Sequence, residues 1–188
     1  MQKFTPYIIS LFIFGCAPTI SDLAESDPES IIARKSELLK GDNIPIETVQ
    51  SVVNAHNNLG SRSLKKGDYS AAEAQFKSAL SLDIKSKQAK FGLSMIKGHR
   101  FYKQGSKSNL WDALEQYGRA SYYSPENGEP YYWMGRTYEK KDEGDFELII
   151  EVYEKALSGT LSQTLKKDTE RRLFDVKKRK NIYNDFWK

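Results

Sequence analysis

The chain has 188 residues, 39% of them hydrophobic and 29% charged, which is enough for one domain with a real core and ordinary for a soluble globular protein. Its single cysteine excludes an internal disulfide, and a formal net charge of +4 selects no class of partner by itself. Beyond residue 15 no apolar stretch is long enough to cross a membrane.

In chain order, the first element has the layout of an export signal. Lys3 supplies a small positive region, and Tyr7 to Phe14 form an apolar run far short of the roughly 20 residues that a spanning helix needs. The run closes on Ile13-Phe14-Gly15-Cys16. An aliphatic, a variable and a small residue before a cysteine is the order in which the signals of bacterial lipoproteins end, and this end of the chain resembles that family. The resemblance implies that residues 1–15 are removed as a signal peptide, that Cys16 is acylated, and that the protein is lipid-anchored at the outer membrane, facing the periplasm. A non-lipidated signal peptide or an uncleaved anchor is the competing reading. Residues 16–27, small and polar with Pro18 among them, are expected to form a flexible tether.

The body, 28–188, is expected to fold. Ser26-Asp27-Pro28-Glu29 reads as a capping box with proline at the helix start, Ile31, Ile32, Leu38 and Leu39 form one apolar face, and Gly41 is a stop. A repeat follows: Ala72-x3-Phe76-x2-Ala79, Ala113-x3-Tyr117-x2-Ala120 and Ile149-x3-Tyr153-x2-Ala156. A small or aliphatic residue, an aromatic and an alanine at this spacing share one helix face, so a second helix can lie in the groove they make. Upstream stand Leu59-Gly60 with Gly67 and Tyr69, and Tyr131-x2-Met134-Gly135-x2-Tyr138 with Gly144 and Phe146. These residues resemble the tetratricopeptide repeat. Phe76 and Tyr117 are 41 residues apart and Tyr117 and Tyr153 are 36 apart, against about 34 in that family. Longer helices in the middle hairpin would absorb an excess of about two turns without rotating their buried faces. The middle unit, with a first helix over about Lys87 to Gln104, lacks a clean Leu-Gly pair.

The resemblance implies an all-α, right-handed superhelical solenoid of about three hairpins, at about 53–86, 87–127 and 128–161, with no strand. A capping helix is expected from about Leu161, with Leu165, Leu173 and Val176 on its apolar face.

Such arrays bind a protein or peptide partner on the concave face formed by the first helices. By register, the inward positions are Asn54, Asn57, Ser61 and Lys65, then Gln88, Phe91, Met95 and His99, then Tyr132, Arg136, Glu139 and Lys140. Amides in this set suit a peptide backbone, and Phe91 and Tyr132 suit apolar side chains; a place in the core competes for Phe91 and Met95. Tyr132 and Trp133 are either surface anchors or packing residues. The last helix is rich in cations, with Lys177, Lys178, Arg179 and Lys180 in succession. That face is either simply solvated or drawn to anionic lipid headgroups or an acidic partner. Ile182, Tyr183, Phe186 and Trp187 either pack back on the array or project from it.

Catalysis has no support. The cysteine is committed to lipid, and His56 and His99 lie on different helices without a matched nucleophile or metal-ligand set. No cofactor, metal or small-molecule substrate is expected, and export disfavours nucleic acid. The functional expectation is a lipid-anchored envelope adaptor that holds a partner during envelope assembly, secretion or pilus biogenesis. The alternatives are a self-associating structural array without a client, and membrane-surface binding through the basic C-terminal helix.

Overall fold

The computed structural model describes residues 18–142 and 144–187; Cys16 and the segment before it lie outside the described residues. Three helical hairpins stack in sequence order: α4 (Ile46–Lys65) with α5 (Tyr69–Leu82), α6 (Lys87–Gln104) with α7 (Lys107–Tyr123), and α8 (Glu129–Lys141) with α9 (Phe146–Ser158). At one end lie α1 (Ile20–Ser26), α2 (Pro28–Ala33) and α3 (Lys35–Leu38); at the other lies α10 (Gln163–Phe186). No strand occurs among the described residues, and the fold is an all-α solenoid.

Side-chain oxygens start most of these helices. Asp68 accepts the Ala71 N–H at 3.0 Å, Ser86 that of Ala89 at 3.3 Å, Ser106 that of Asn109 at 3.2 Å and Ser162 that of Leu165 at 3.3 Å. Each satisfies a donor that the first turn leaves unpaired, worth about 1 kcal/mol. Gly67 and Gly105 turn the first two hairpins at φ +77° and +73°, a region in which other residues are strained.

One contact repeats in every hairpin. The aromatic ring of the second helix lies on a glycine of the first: Phe76 on Gly60, Tyr117 on Gly98 and Tyr153 on Gly135. All three rings are buried, flanked by Ala72 and Ala79, Ala113 and Ala120, and Ile149 and Ala156. In the middle unit Gly98 thus fills the role of the missing Leu-Gly pair, preceded by Lys97 in place of leucine. Phe76 also touches Gly92 of α6, so the first wedge locks two successive hairpins. Helices α6 and α7 have 18 and 17 residues against 13 and 13 in α8 and α9, which accounts for the wider spacing from Phe76 to Tyr117 than from Tyr117 to Tyr153.

The expected flexible tether over 16–27 falls partly outside the described residues, and within them Ile20–Ser26 is a helix instead. Thr19 and Asp22 form a capping box at the start of α1, and Ala24 is buried beside Ile31, Val52 and Ala55. Asn58 Nδ2 donates to the Ala24 carbonyl at 2.9 Å, and Arg62 pairs with Glu29 at 3.2 Å. Apolar residues placed every three or four positions (Ile20, Leu23, Ala24) make this segment a helix that covers α4. The cap of α2 is Asp27, which accepts from Ser30 N–H, rather than Ser26, and the helix expected to run toward Gly41 breaks at Arg34.

At the other end α10 buries Thr169 and Val176 and packs Leu165 and Leu173 on the third hairpin. Its final turns project. Ile182, Tyr183, Phe186 and Trp187 are exposed, although the Tyr183 ring stands 5.7 Å from that of Phe146.

Candidate binding groove

Two clefts, of about 620 and about 750 Å³, run along the side of the array where α4, α6 and α8 meet. They share Leu64, Lys65, His99, Asn127 and Glu129 and therefore form one continuous groove. Toward α6 its walls include Ser61, Gln88, Phe91 and Tyr123; toward α10 they include Tyr69, Trp133, Leu161 and Leu165.

Two turns build its floor. Gly128 N–H donates to the Thr160 carbonyl at 3.0 Å and Thr160 N–H to the Glu126 carbonyl at 2.7 Å, which clamps the turn before α8 against the turn after α9. An isolated bridge between Asn127 and Thr160 results. Any Cβ on Gly128 would run into the Ala156 carbonyl, so this approach requires glycine. Asn127 Oδ1 then accepts the Glu129 N–H at 2.9 Å, fixing Glu129 at the head of α8 with its side chain in the groove.

Burial pushes the Glu129 carboxyl above the ordinary carboxylate range, partly offset by the Trp133 indole N–H and by Lys65. The Trp133 Nε1–H is buried and lies toward this carboxylate without reaching hydrogen-bond geometry. Beside it His99 stacks on Tyr69 at 5.6 Å between ring centroids and meets Trp133 edge-on at 4.7 Å. Its Nδ1 pairs with the Tyr117 hydroxyl at 3.0 Å. Burial lowers His99 to about 4, so the imidazole is neutral near pH 7 and acts as an aromatic wall rather than a cation.

The structure gathers Ser61, Lys65, Gln88, Phe91 and His99 of the expected inward set around this groove. Asn57, Met95 and Tyr132 are instead buried, and the others lie elsewhere on the surface. Asn57 is 2% exposed and donates to Ser86 Oγ at 3.1 Å, while its Oδ1 is buried without a partner. Met95 is buried against Ala113 and Tyr117. Tyr132 is 4% exposed; its hydroxyl donates to Asp168 at 2.8 Å and accepts from Arg136 at 2.9 Å. Asn57 and Tyr132 are therefore interior, and replacing them would cost stability. The register misleads for a physical reason: a first helix in the middle of a stack is covered by neighbours on both sides, so its polar residues face other helices as well as the groove. Asn54 lies in a separate depression with Gln50, which donates to it at 3.1 Å. Arg136, Glu139 and Lys140 line a recess with Tyr102, Arg172 and Arg179. Trp133 packs among His99, Tyr102, Tyr117 and Tyr132, which assigns it to packing with one edge in the groove.

Most of the basic run on α10 is paired internally. Lys177 meets Glu154 at 2.6 Å, Arg179 meets Glu139 at 3.4 Å and Lys180 meets Glu147 at 2.8 Å, while Lys178 is exposed. Glu139 also accepts from Arg172 and from the Tyr153 hydroxyl, each at 2.8 Å. Asp168 accepts from Arg172, Arg171 and Tyr132. Although burial alone would raise it, these bonds hold the Asp168 carboxyl well below its usual range. The charges of α10 thus fasten the cap to the third hairpin.

Glu129, Asn127, Tyr123, Leu161 and Leu165 were not among the expected groove residues. Helical periodicity marks helix faces, whereas these residues sit at or near turns brought together by stacking.

Among the described residues no cluster of His, Cys, Asp and Glu could hold a metal, and no helix is long and apolar enough to cross a membrane. No curated protein matches the chain. Residues 53–83 and 128–158, the first and third hairpins, match the tetratricopeptide repeat family. The middle hairpin carries the same ring-on-glycine contact, so the described residues form an all-α solenoid of three like hairpins, of which the first and third are similar to that family.

Proposed function

We propose that this protein is a non-catalytic, lipid-anchored adaptor of the bacterial cell envelope, held at the outer membrane through Cys16, that takes an extended segment of a partner protein in the groove between α4, α6 and α8. The continuous groove itself carries the reading. It alternates apolar walls (Leu64, Phe91, Leu161, Leu165) with polar and charged groups (Ser61, Lys65, Gln88, Glu129), the mixture that suits a peptide's side chains and its backbone together. The signal layout ending at Cys16 supports the anchored, periplasm-facing placement, and envelope assembly, secretion or pilus biogenesis are the processes such an adaptor serves.

Site-specific photo-cross-linking of the full-length protein in its native membrane tests this. A photoreactive residue at Gln88, in the groove, should give one defined adduct with another protein, and the same residue at Lys77, on α5 away from it, should not. Adducts that arise only from Lys77, or only with second copies of this chain, would overturn the groove reading, the latter in favour of a self-associating array.

A further inference from the structure

The part of the groove toward α10 forms a recess with a chemistry of its own. Glu129 lies in it, and among the described residues no lysine, arginine or histidine forms an ion pair with its carboxylate. Tyr69, His99 and Trp133 face the same space, with His99 in contact with both other rings. The electron-rich faces of aromatic rings beside a carboxylate form a receptor for a cation, and a neutral imidazole among them adds no opposing charge. Other large aromatic clusters in the array are closed or already served: Lys140 sits 4.6 Å over Tyr102, Lys155 4.9 Å over Tyr131 and Lys141 4.7 Å over Trp111. Of the rings at Glu129, Trp133 has the Arg136 guanidinium 5.9 Å from its centroid, whereas among the described residues no cation stands over Tyr69.

Resting on the groove reading above, we infer that the recess formed by Glu129, Tyr69, His99 and Trp133 is a specificity pocket for a lysine side chain of the bound partner segment, with the partner's flanking apolar residues seated on Leu64 and Phe91 to one side and Leu161 and Leu165 to the other.

Charge complementarity selects this occupant. A carboxylate withdrawn from water gains more from a desolvated cation than an exposed one does, and the aromatic walls exclude water around the pair. An apolar side chain in the same position would leave the Glu129 carboxyl without a cation beside it, and an acidic one would be repelled by it. Lys65 is the one cation that lines both clefts and acts on Glu129 from a distance. It lies exposed near the end of α4, so it competes with the incoming lysine and its removal should favour binding.

The test uses the full chain and two capped pentapeptides, acetyl-Leu-Ser-Lys-Ser-Leu-amide and its counterpart with glutamine in place of lysine, followed by NMR at the Trp133 indole N–H. The lysine peptide should shift this signal and bind at least about tenfold more tightly than the glutamine peptide, the scale of one well-placed charge contact. Glu129→Gln should remove that preference without lowering the melting temperature, and Lys65→Ala should strengthen binding of the lysine peptide several-fold. Equal affinity for the two peptides, or wild-type discrimination in Glu129→Gln, would overturn the lysine pocket; shifts of the Ser61 and Gln88 amides by both peptides would then leave the groove reading standing. Absence of any groove shift with either peptide would overturn both. Tighter binding of tetramethylammonium than of the lysine peptide would overturn the assignment to a protein side chain in favour of a quaternary headgroup.

Discussion

A Cβ placed on Gly98 would stand 2.5 Å from Cε1 of Tyr117, so the ring occupies the space that any other residue at position 98 would need. The two residues belong to the two helices of the middle hairpin, and their contact sets how closely α6 and α7 approach. Gly98→Ala should therefore destabilise the protein by about 1 to 3 kcal/mol, even though alanine is the better helix former by about 1 kcal/mol. Gly118 of α7 supplies the control, because nothing lies within 4 Å of the point a Cβ would occupy there, and Gly118→Ala should stabilise by about 0.5 to 1 kcal/mol. Urea melts of the two variants decide it; a gain in both would show that Tyr117 does not seat on Gly98.

Ala120 is fully buried in the same hairpin, packed with Met95 and Tyr117. Replacing it by phenylalanine should overpack the contact and cost about 1 to 3 kcal/mol or more, read as a lowered thermal midpoint. An unchanged midpoint would mean that the site is open to solvent.

His99 predicts a pH dependence. Its ordinary value is 6.5 and burial lowers it to about 4, so the unfolded chain takes up this proton before the folded one does. Stability that is complete above about pH 6.5 should fall as the pH is lowered toward 4, by an amount on the order of 3 kcal/mol at most from this group. Glu129, raised by burial, acts in the opposite sense, which is why the comparison must be with a variant. His99→Phe should show a shallower loss of stability between pH 7 and pH 5 than the wild type. Parallel curves would mean that His99 is accessible and protonates freely in the folded protein.

Glu139 joins α8 to α10 through Arg172 and Arg179 and also accepts from the Tyr153 hydroxyl. Its side chain is 15% exposed, so removing the charge leaves two guanidinium groups and a hydroxyl partly desolvated. Glu139→Gln should cost about 1 to 3 kcal/mol and should speed tryptic cleavage within α10 before cleavage elsewhere. Uniform cleavage of all hairpins at the wild-type rate would show that the cap is held by its apolar face alone.

At the other end of the chain, the signal layout predicts that labelled fatty acid enters the wild type and not Cys16→Ser. Equal labelling of the two proteins, or recovery of the wild type as a soluble periplasmic protein, would sink the lipid anchor.

The repeated small-aromatic-alanine spacing was enough to place three hairpins, because each of those residues acts within its own helix pair and local periodicity records such contacts directly. It also placed α6 over Lys87–Gln104, although Gly98 lacks the preceding leucine that would mark it as the seat of Tyr117. Residues that serve between hairpins were legible only in part. Asn57 shares a helical face with Ser61 and Lys65 on α4, and Tyr132 shares one with Arg136 on α8, closely enough that register alone put them in the groove, yet α1 to α3, the next hairpin and α10 cover what a single helix would expose. Tertiary structure alone decided that residues 20–26 form a covering helix, that α10 spends most of its cations on Glu139, Asp168, Glu147 and Glu154, and that two turns remote in sequence meet at Thr160 to set Glu129 in the groove. Those outcomes depend on distances between elements far apart along the chain, and a pattern with a period of 3.6 residues carries no information about them.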